Sequence, residues 1–268
     1  MQNNPPDDIQ GLPGTPLMPP PKNPLNRVSY PTVTYTILGI TLLVFILQML
    51  TETLLKTDFP AMLGMKENSL IVQGQVWRLL TPVFLHGSIF HIGFNMYALW
   101  IIGGRMERVY GHGKFIVLYF LSAYTGNVFS FLFQPSPSLG ASTAIFGLLA
   151  AEGVLLYQNR KLIHDARSML QNIITIGVIN LIIGTTGGID NWGHLGGLLG
   201  GAAFGWFAGP LLDAIPYGGG YALVDRRTRQ DVIVAFLVVF LSFTALAVIG
   251  MMDPFRHFSL YISGVNHG

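Results

Sequence analysis

The chain has 268 residues, of which 51% are hydrophobic and only 10% charged. A soluble domain carries about 25% charged residues, so the composition excludes an ordinary soluble fold and sets the class as a polytopic membrane protein. A net charge of +2 gives no basis for nucleic-acid binding, and the absence of cysteine excludes disulfides, thiolate metal sites and a cysteine nucleophile. In chain order, residues 1–32 come first. The stretch MQNNPPDDIQGLPGTPLMPPPKNPLN is polar and Pro-rich and holds Asp7 and Asp8. It lacks the basic start and apolar run of a signal peptide, and it reads as a disordered cytosolic tail.

Seven apolar segments follow, each a candidate for the roughly 20-residue length of a bilayer helix. They are Val33–Leu50, about Ile89–Gly103, Phe115–Phe133, Ser142 to about Tyr157, about Leu170–Gly184, about Trp192–Leu211, and Val232–Met251. The fourth and fifth are short, and a short helix that opens on a serine can begin below the membrane surface inside a protein-lined cavity. The fold class is therefore all-α. The expected units are the tail 1–32, a six-helix core 33–212, a basic linker 213–231, a seventh helix 232–251 and a short extracytoplasmic tail 252–268.

With the N-terminus in the cytosol, the inner segments hold Lys22, Arg27, Arg105, Arg108, Lys114, Arg160, Lys161, Arg167, Arg226, Arg227 and Arg229, and the outer ones only Lys56, Lys66, Arg78 and Arg256. This is the sense of the positive-inside rule, and it puts Ser142 at the extracytoplasmic end of the fourth segment. The first outer loop contains WRLLTPVFLHG. Trp77 and Arg78 suit the interface, with the ring at headgroup level and the guanidinium reaching water or phosphate.

Ionisable and polar groups at membrane depth mark function. His91 and Asn95 are four apart and share a helical face. His194 lies just inside the sixth segment, and Ser142 opens the fourth. Taken singly, Ser142 fits helix packing, His194 a core histidine, and His91 with Asn95 an interhelical hydrogen-bond pair. Together they lie toward one membrane face and supply the parts for acyl transfer: a nucleophile, a base, and N–H donors for an oxyanion. Gly193, Gly197, Gly201, Gly205 and Gly209 recur every fourth residue below His194. Such a stripe lets two helix backbones approach closely, which a serine and a histidine need in order to meet. It fits a generic small-residue contact as well.

The sequence resembles the rhomboid intramembrane serine proteases. GASTAIFG is similar to the family's nucleophile motif (Gly140, Ser142), GHLGGLLGG to its histidine motif (His194, Gly197, Gly201), and HIGFN to its H-x-x-x-N motif (His91, Asn95). Trp77 and Arg78 match its first-loop WR, and GGRMERVYG its turn after the second helix, with Glu107 in the acidic position. The resemblance covers about residues 33–212. It implies a serine endopeptidase acting on single-span membrane proteins near the outer face, with no cofactor and no metal. The catalytic residues it implies are Ser142 and His194, with the Ser142 N–H, His91 and Asn95 at the oxyanion. Phe146 stands where some members stack a tyrosine on the histidine, and its ring keeps that stacking. Asp190 is a possible third member of the dyad, or a residue of a solvated loop. Glu107 with the nearby arginines is expected to clamp the cytosolic side, and Glu152 to reach the cytosolic face or pair with a neighbour. The fifth helix, with the TTGGID loop, is the expected substrate gate. The bilayer is the expected setting, a bacterial plasma membrane the expected location, and the oligomeric state is left open. A catalytically silent relative would usually lack the serine or the histidine. A transporter would show an internal repeat or a charged pore, and neither is visible.

Overall fold

The fold is a computed structural model that describes residues 23–185, 188–217 and 220–252. The expected tails up to residue 22 and from 253 onward lie outside the described residues, as do Thr186 and Gly187 of the expected gate loop. Helix α1 (Thr32–Leu55) starts directly after Pro31. Its 24 residues rise about 36 Å, enough for the roughly 30 Å hydrocarbon core. Thr34, Ile37, Thr41, Phe45 and Gln48 are its buried residues, a single stripe at helical spacing, while its other faces show exposed leucines and isoleucines.

The long loop after α1 is built, not slack. Asp58 caps the short helix α2 (Phe59–Gly64), accepting from Ala61 N at 3.0 Å. Helix α3 (Asn68–Val72) and two 3₁₀ turns, Val76–Leu79 and Thr81–Phe84, follow. Arg78 departs from the expectation. It is 3% exposed, and its guanidinium donates to Met62 O (2.7 Å), Met65 O (2.8 Å) and Gln75 Oε1 (2.8 Å). It satisfies carbonyls left open at the ends of short helices and is turned into the protein rather than toward the interface. Trp77 is half exposed and donates its Nε1–H to Leu63 O at 3.1 Å.

Helix α4 (Ile89–Ala98) passes through a π turn (Leu99–Gly103) into α5 (Gly104–Tyr110), so this rod runs further than the sequence suggests. Gly111, at φ +76°, ends it and leads into α6 (His112–Phe133). Then come α7 (Ser142–Gln158), α8 (Ala166–Gly184), α9 (Asn191–Ala208) and α10 (Arg229–Met252). The expected linker holds an antiparallel hairpin of β1 (Leu212–Tyr217) and β2 (Gly220–Asp225), paired from Leu212↔Asp225 to Tyr217↔Gly220. Among the described residues, α1, α6, α8 and α10 are long and apolar enough to cross a membrane.

Helices α6, α7 and α9 form the core, with α9 packed most extensively against both of the others; α8 and α10 are peripheral and mostly exposed. The glycine stripe makes this packing possible. A Cβ on Gly197 would overlap Thr143 O, and one on Gly201 would overlap the backbone of Gly147. The α7 and α9 backbones therefore touch directly, which only small residues allow.

Polar contacts gather at the far end of the bundle. Glu107 is fully buried and accepts from Val33 N (2.9 Å), Thr34 N (2.7 Å) and Thr34 Oγ1 (2.7 Å), and it also bonds His112. It ties α5 to the start of α1. Its partners are these backbone and side-chain groups, not the expected arginines. Glu152 pairs with Arg105 in a two-pronged contact of 2.6 and 2.8 Å. Asp225 of the hairpin holds Arg27 and, at 3.3 Å, Lys114.

Candidate active site

The loop that leads into α7 is held before it reaches Ser142. Lys66 and Ser138 exchange backbone hydrogen bonds (2.9 and 3.1 Å), and the buried Lys66 Nζ donates to Gln134 O (2.8 Å), Ser136 O (2.7 Å) and Asn68 Oδ1 (3.1 Å). Gly140 N donates to Pro82 O at 2.9 Å. Gly140 itself has φ +136°, a conformation open to glycine and strained for other residues. That turn sets Ser142 at the N-terminus of α7, where first-turn N–H groups have no intrahelical acceptor.

Across the glycine contact stands α9. His194 is 6% exposed, and its Nε2 lies 2.9 Å from Ser142 Oγ. The Phe146 ring stacks on the imidazole, with centroids 4.1 Å apart and planes 13° apart. Asp190 does not orient the histidine. Its carboxylate caps α9 by accepting from Gly193 N (2.8 Å) and from Ser130 Oγ, and among the described residues His194 Nδ1 has no hydrogen-bond partner. Ser130 Oγ also reaches Ser138 Oγ at 3.2 Å, so Asp190 sits in a bonded chain and not in a solvated loop. The imidazole is held by packing and by Phe146, with Ser142 Oγ as its hydrogen-bond partner.

His91 comes from α4, whose first turn is opened by Ser88, its hydroxyl accepting from His91 N (3.1 Å). A Cβ on Gly140 would stand 2.8 Å from His91 Nε2, so the imidazole lies directly against the turn before Ser142. Asn95 follows one helical turn on and is buried. The structure thus brings Ser142, His194, Phe146, Gly140 and His91 to one end of the bundle, with Asn95 one turn deeper. Gly197 and Gly201 support the contact from below. Trp77, Arg78 and Glu107 lie apart and hold the frame.

Sequence reasoning missed His86. It is 1% exposed, its Nε2 accepts from Ala141 N (3.4 Å), and its ring meets the His91 ring edge-on at 5.0 Å. The His86 backbone N–H donates to Gln48 Oε1 on α1 (3.0 Å), and Gln48 Nε2 donates to Asp58 (2.8 Å). Burial, with help from neighbouring His91, pushes the His86 pKa down to about 3. The neutral ring keeps a lone pair for the Ala141 N–H, next to Ser142. The signal in the sequence was a lone histidine five residues before His91 in an apolar loop, which alone does not distinguish support from chance.

The Rhomboid domain model matches residues 73–211, from the loop after α3 to the end of α9. Similar proteins include Rhomboid protease GluP of Bacillus subtilis, 42% identical over 214 residues, which make up 80% of this chain and 40% of that protein. Rhomboid-like protease 1 of Toxoplasma gondii is 44% identical over 144 residues, 51% of this chain and 48% of that one. Inactive RHOMBOID-like protein 8 of Arabidopsis thaliana is 35% identical over 137 residues, 51% of this chain and 39% of that one. The chain spans about two fifths to one half of the length of these relatives. The domain match takes in α4 to α9 and every residue gathered around Ser142, and the chain belongs to the rhomboid family.

Proposed function

We propose that the chain is an intramembrane serine endopeptidase that cuts membrane segments of single-span proteins. The observation that carries this reading is the 2.9 Å contact between Ser142 Oγ and His194 Nε2 at the N-terminus of α7. Ser142 Oγ attacks the scissile carbonyl while His194 Nε2 takes its proton. His194 then protonates the leaving amine, and water, activated by the same imidazole, releases the acyl group. The oxyanion is held by the Ser142 N–H, at the positive end of the helix, together with His91 and Asn95. Gly140 keeps the turn close, and Phe146 keeps the imidazole plane fixed.

In this reading the core 33–212 crosses the membrane six times and the helix within 232–251 a seventh, with 213–231 between them in the cytosol. The N-terminus is cytosolic and the dyad opens to the extracytoplasmic side of a plasma membrane, as the distribution of Lys and Arg supports. Relatives named as proteases support the activity, and a relative named as inactive makes a direct test necessary. The test is labelling by a fluorophosphonate probe of the purified protein in mild detergent. Wild type is expected to label, and Ser142→Ala and His194→Ala are expected to lose labelling while keeping their helical circular dichroism. A folded wild type that stays unlabelled would overturn the proposal.

A further inference from the structure

Helix α8 does not close against its neighbours. Between α7, α8 and α9 lies an open groove of about 450 Å³, lined by Leu149, Gly153, Leu170, Ile174, Gly177 and Leu198 among others. Two glycines create the space: an added Cβ on Gly153 meets only the tips of Leu170 and Ile173 at 3.6 Å, and one on Gly177 only the tip of Leu149 at 3.6 Å. From Leu170 to Leu181 the groove follows α8 for about 16 Å, close to the roughly 15 Å depth of one leaflet. Tyr157 and Trp206 stand at its end away from the dyad, with ring centroids 6.1 Å apart. Aromatic pairs of this kind sit at headgroup level.

That mouth carries positive charge. Arg160 lies over the Tyr157 ring at 4.5 Å and donates to Tyr157 O at 2.7 Å, which parks its guanidinium beside the opening. Arg227 donates to Trp206 O at 2.6 Å. Lys161 lies exposed on the connection to α8, and Arg167 lies exposed in the first turn of α8. Among the described residues, no side chain of these four forms a salt bridge with a carboxylate; the exposed Asp165 lies 3.2 Å from the exposed His164 imidazole. An apolar slot one leaflet deep, ending at aromatic rings and unpaired cations, has the chemistry of one kind of occupant.

We infer that the groove seats an acyl chain of an anionic phospholipid, with its phosphate held by Arg160 and flanked by Lys161, Arg167 and Arg227. The apolar chain fills a gap that the side chains leave, and the cations favour an anionic headgroup over a zwitterionic one. Bound there, the lipid braces α8 against α7. The inference rests on the chain spanning a membrane and not on proteolysis, so its test reads binding alone.

The test uses the full-length protein, delipidated in detergent and examined by native mass spectrometry. It is offered dioleoyl phosphatidylglycerol, dioleoyl phosphatidylcholine or glycerol phosphate. Wild type is expected to retain the phosphatidylglycerol at least ten-fold better than the phosphatidylcholine. The combined Arg160→Gln, Lys161→Gln, Arg167→Gln variant is expected to lose that preference. Gly153→Leu, which fills the groove, is expected to lower retention of both lipids five-fold or more; if it fails to fold, Gly177→Leu fills the same space from α8. Equal retention of both lipids by wild type would overturn the inference. So would undiminished retention in the filled variant, which would mean lipid shed from the general annulus. Binding of glycerol phosphate as tight as that of the intact lipid would also overturn it, by showing an anion site without an acyl chain.

Discussion

Gly140 is the residue on which two demands meet. Its φ of +136° suits glycine, and a Cβ would stand 2.8 Å from the His91 imidazole. Gly140→Ala therefore strains the turn and pushes His91 aside. Losing one oxyanion donor costs about 10²-fold or more in kcat. The variant is expected to show a loss of that order in kcat, with the Ser142–His194 pair still able to label slowly; unchanged turnover would remove His91 from the oxyanion. His86 makes a prediction of a different kind. Its folded pKa of about 3 lies below the unfolded histidine value of about 6.5. The unfolded chain therefore binds a proton that the folded chain refuses, and stability falls as pH drops below about 6.5 and is unaffected above it. The slope from this one group approaches about 1.4 kcal/mol per pH unit. Thermal melts of wild type and His86→Gln between pH 7.5 and 5 check this: the advantage of wild type should shrink as pH falls. A constant difference would show that His86 titrates normally.

At the scale of elements, α7 and α9 are locked by backbone contact, whereas α8 rests on α7 and barely touches α9. Only 6% of the apolar window of α8 is buried, against 67% for α6. Motion of α8 thus breaks few contacts, as expected of a gate. The chain has no cysteine, so one engineered pair joining α8 to the α4–α5 rod would be its only thiols. Cross-linking that pair should slow cleavage of a membrane-embedded substrate at least ten-fold and leave labelling by the small fluorophosphonate unchanged. Equal cleavage rates in the linked and reduced forms would sink the gate. The elements also show what a sequence displays. Ser142 and His194 were legible as partners because the glycine period below His194 states how closely two helices approach. The histidine-stacking ring of Phe146 was legible from its spacing to Ser142 within the resembling motif. Arg78 was misread, because its acceptors are carbonyls at Met62 and Met65, whose availability depends on where short helices end. The β1–β2 hairpin was hidden in a stretch read by its charges alone. Asp190 was read against His194, its helical neighbour, while its bond to Ser130 joins residues sixty apart.

Over the whole molecule, the proposed chemistry and the anchorage sit at opposite ends. The Ser142 end is organised by turns and N–H groups, with Lys66 and Asp190 bonded among them. The other end is organised by buried carboxylates: Glu107 bonded to the start of α1, Glu152 paired with Arg105, and Asp225 paired with Arg27 and Lys114. These contacts tie α5 to α1 and to α7, and the hairpin to the N-terminal segment and α6. The Glu152 side chain is 4% exposed and that of Arg105 is 47% exposed, so the cost of breaking the pair depends on which partner goes. Removing the arginine strands a buried carboxylate, and breaking a buried pair in that way costs about 3–5 kcal/mol. The half-exposed partner lets water soften this toward the lower figure. Arg105→Gln is therefore expected to lower the Tm in detergent markedly. Adding Glu152→Gln to it should recover much of the loss, because no charge is then left buried. Fluorophosphonate labelling at low temperature should be nearly unchanged in both, since the pair lies at the far end of α7 from Ser142. If the double variant melts no higher than Arg105→Gln alone, the stranded charge is not what the pair prevents. If labelling falls at low temperature, the two ends are coupled through α7 itself.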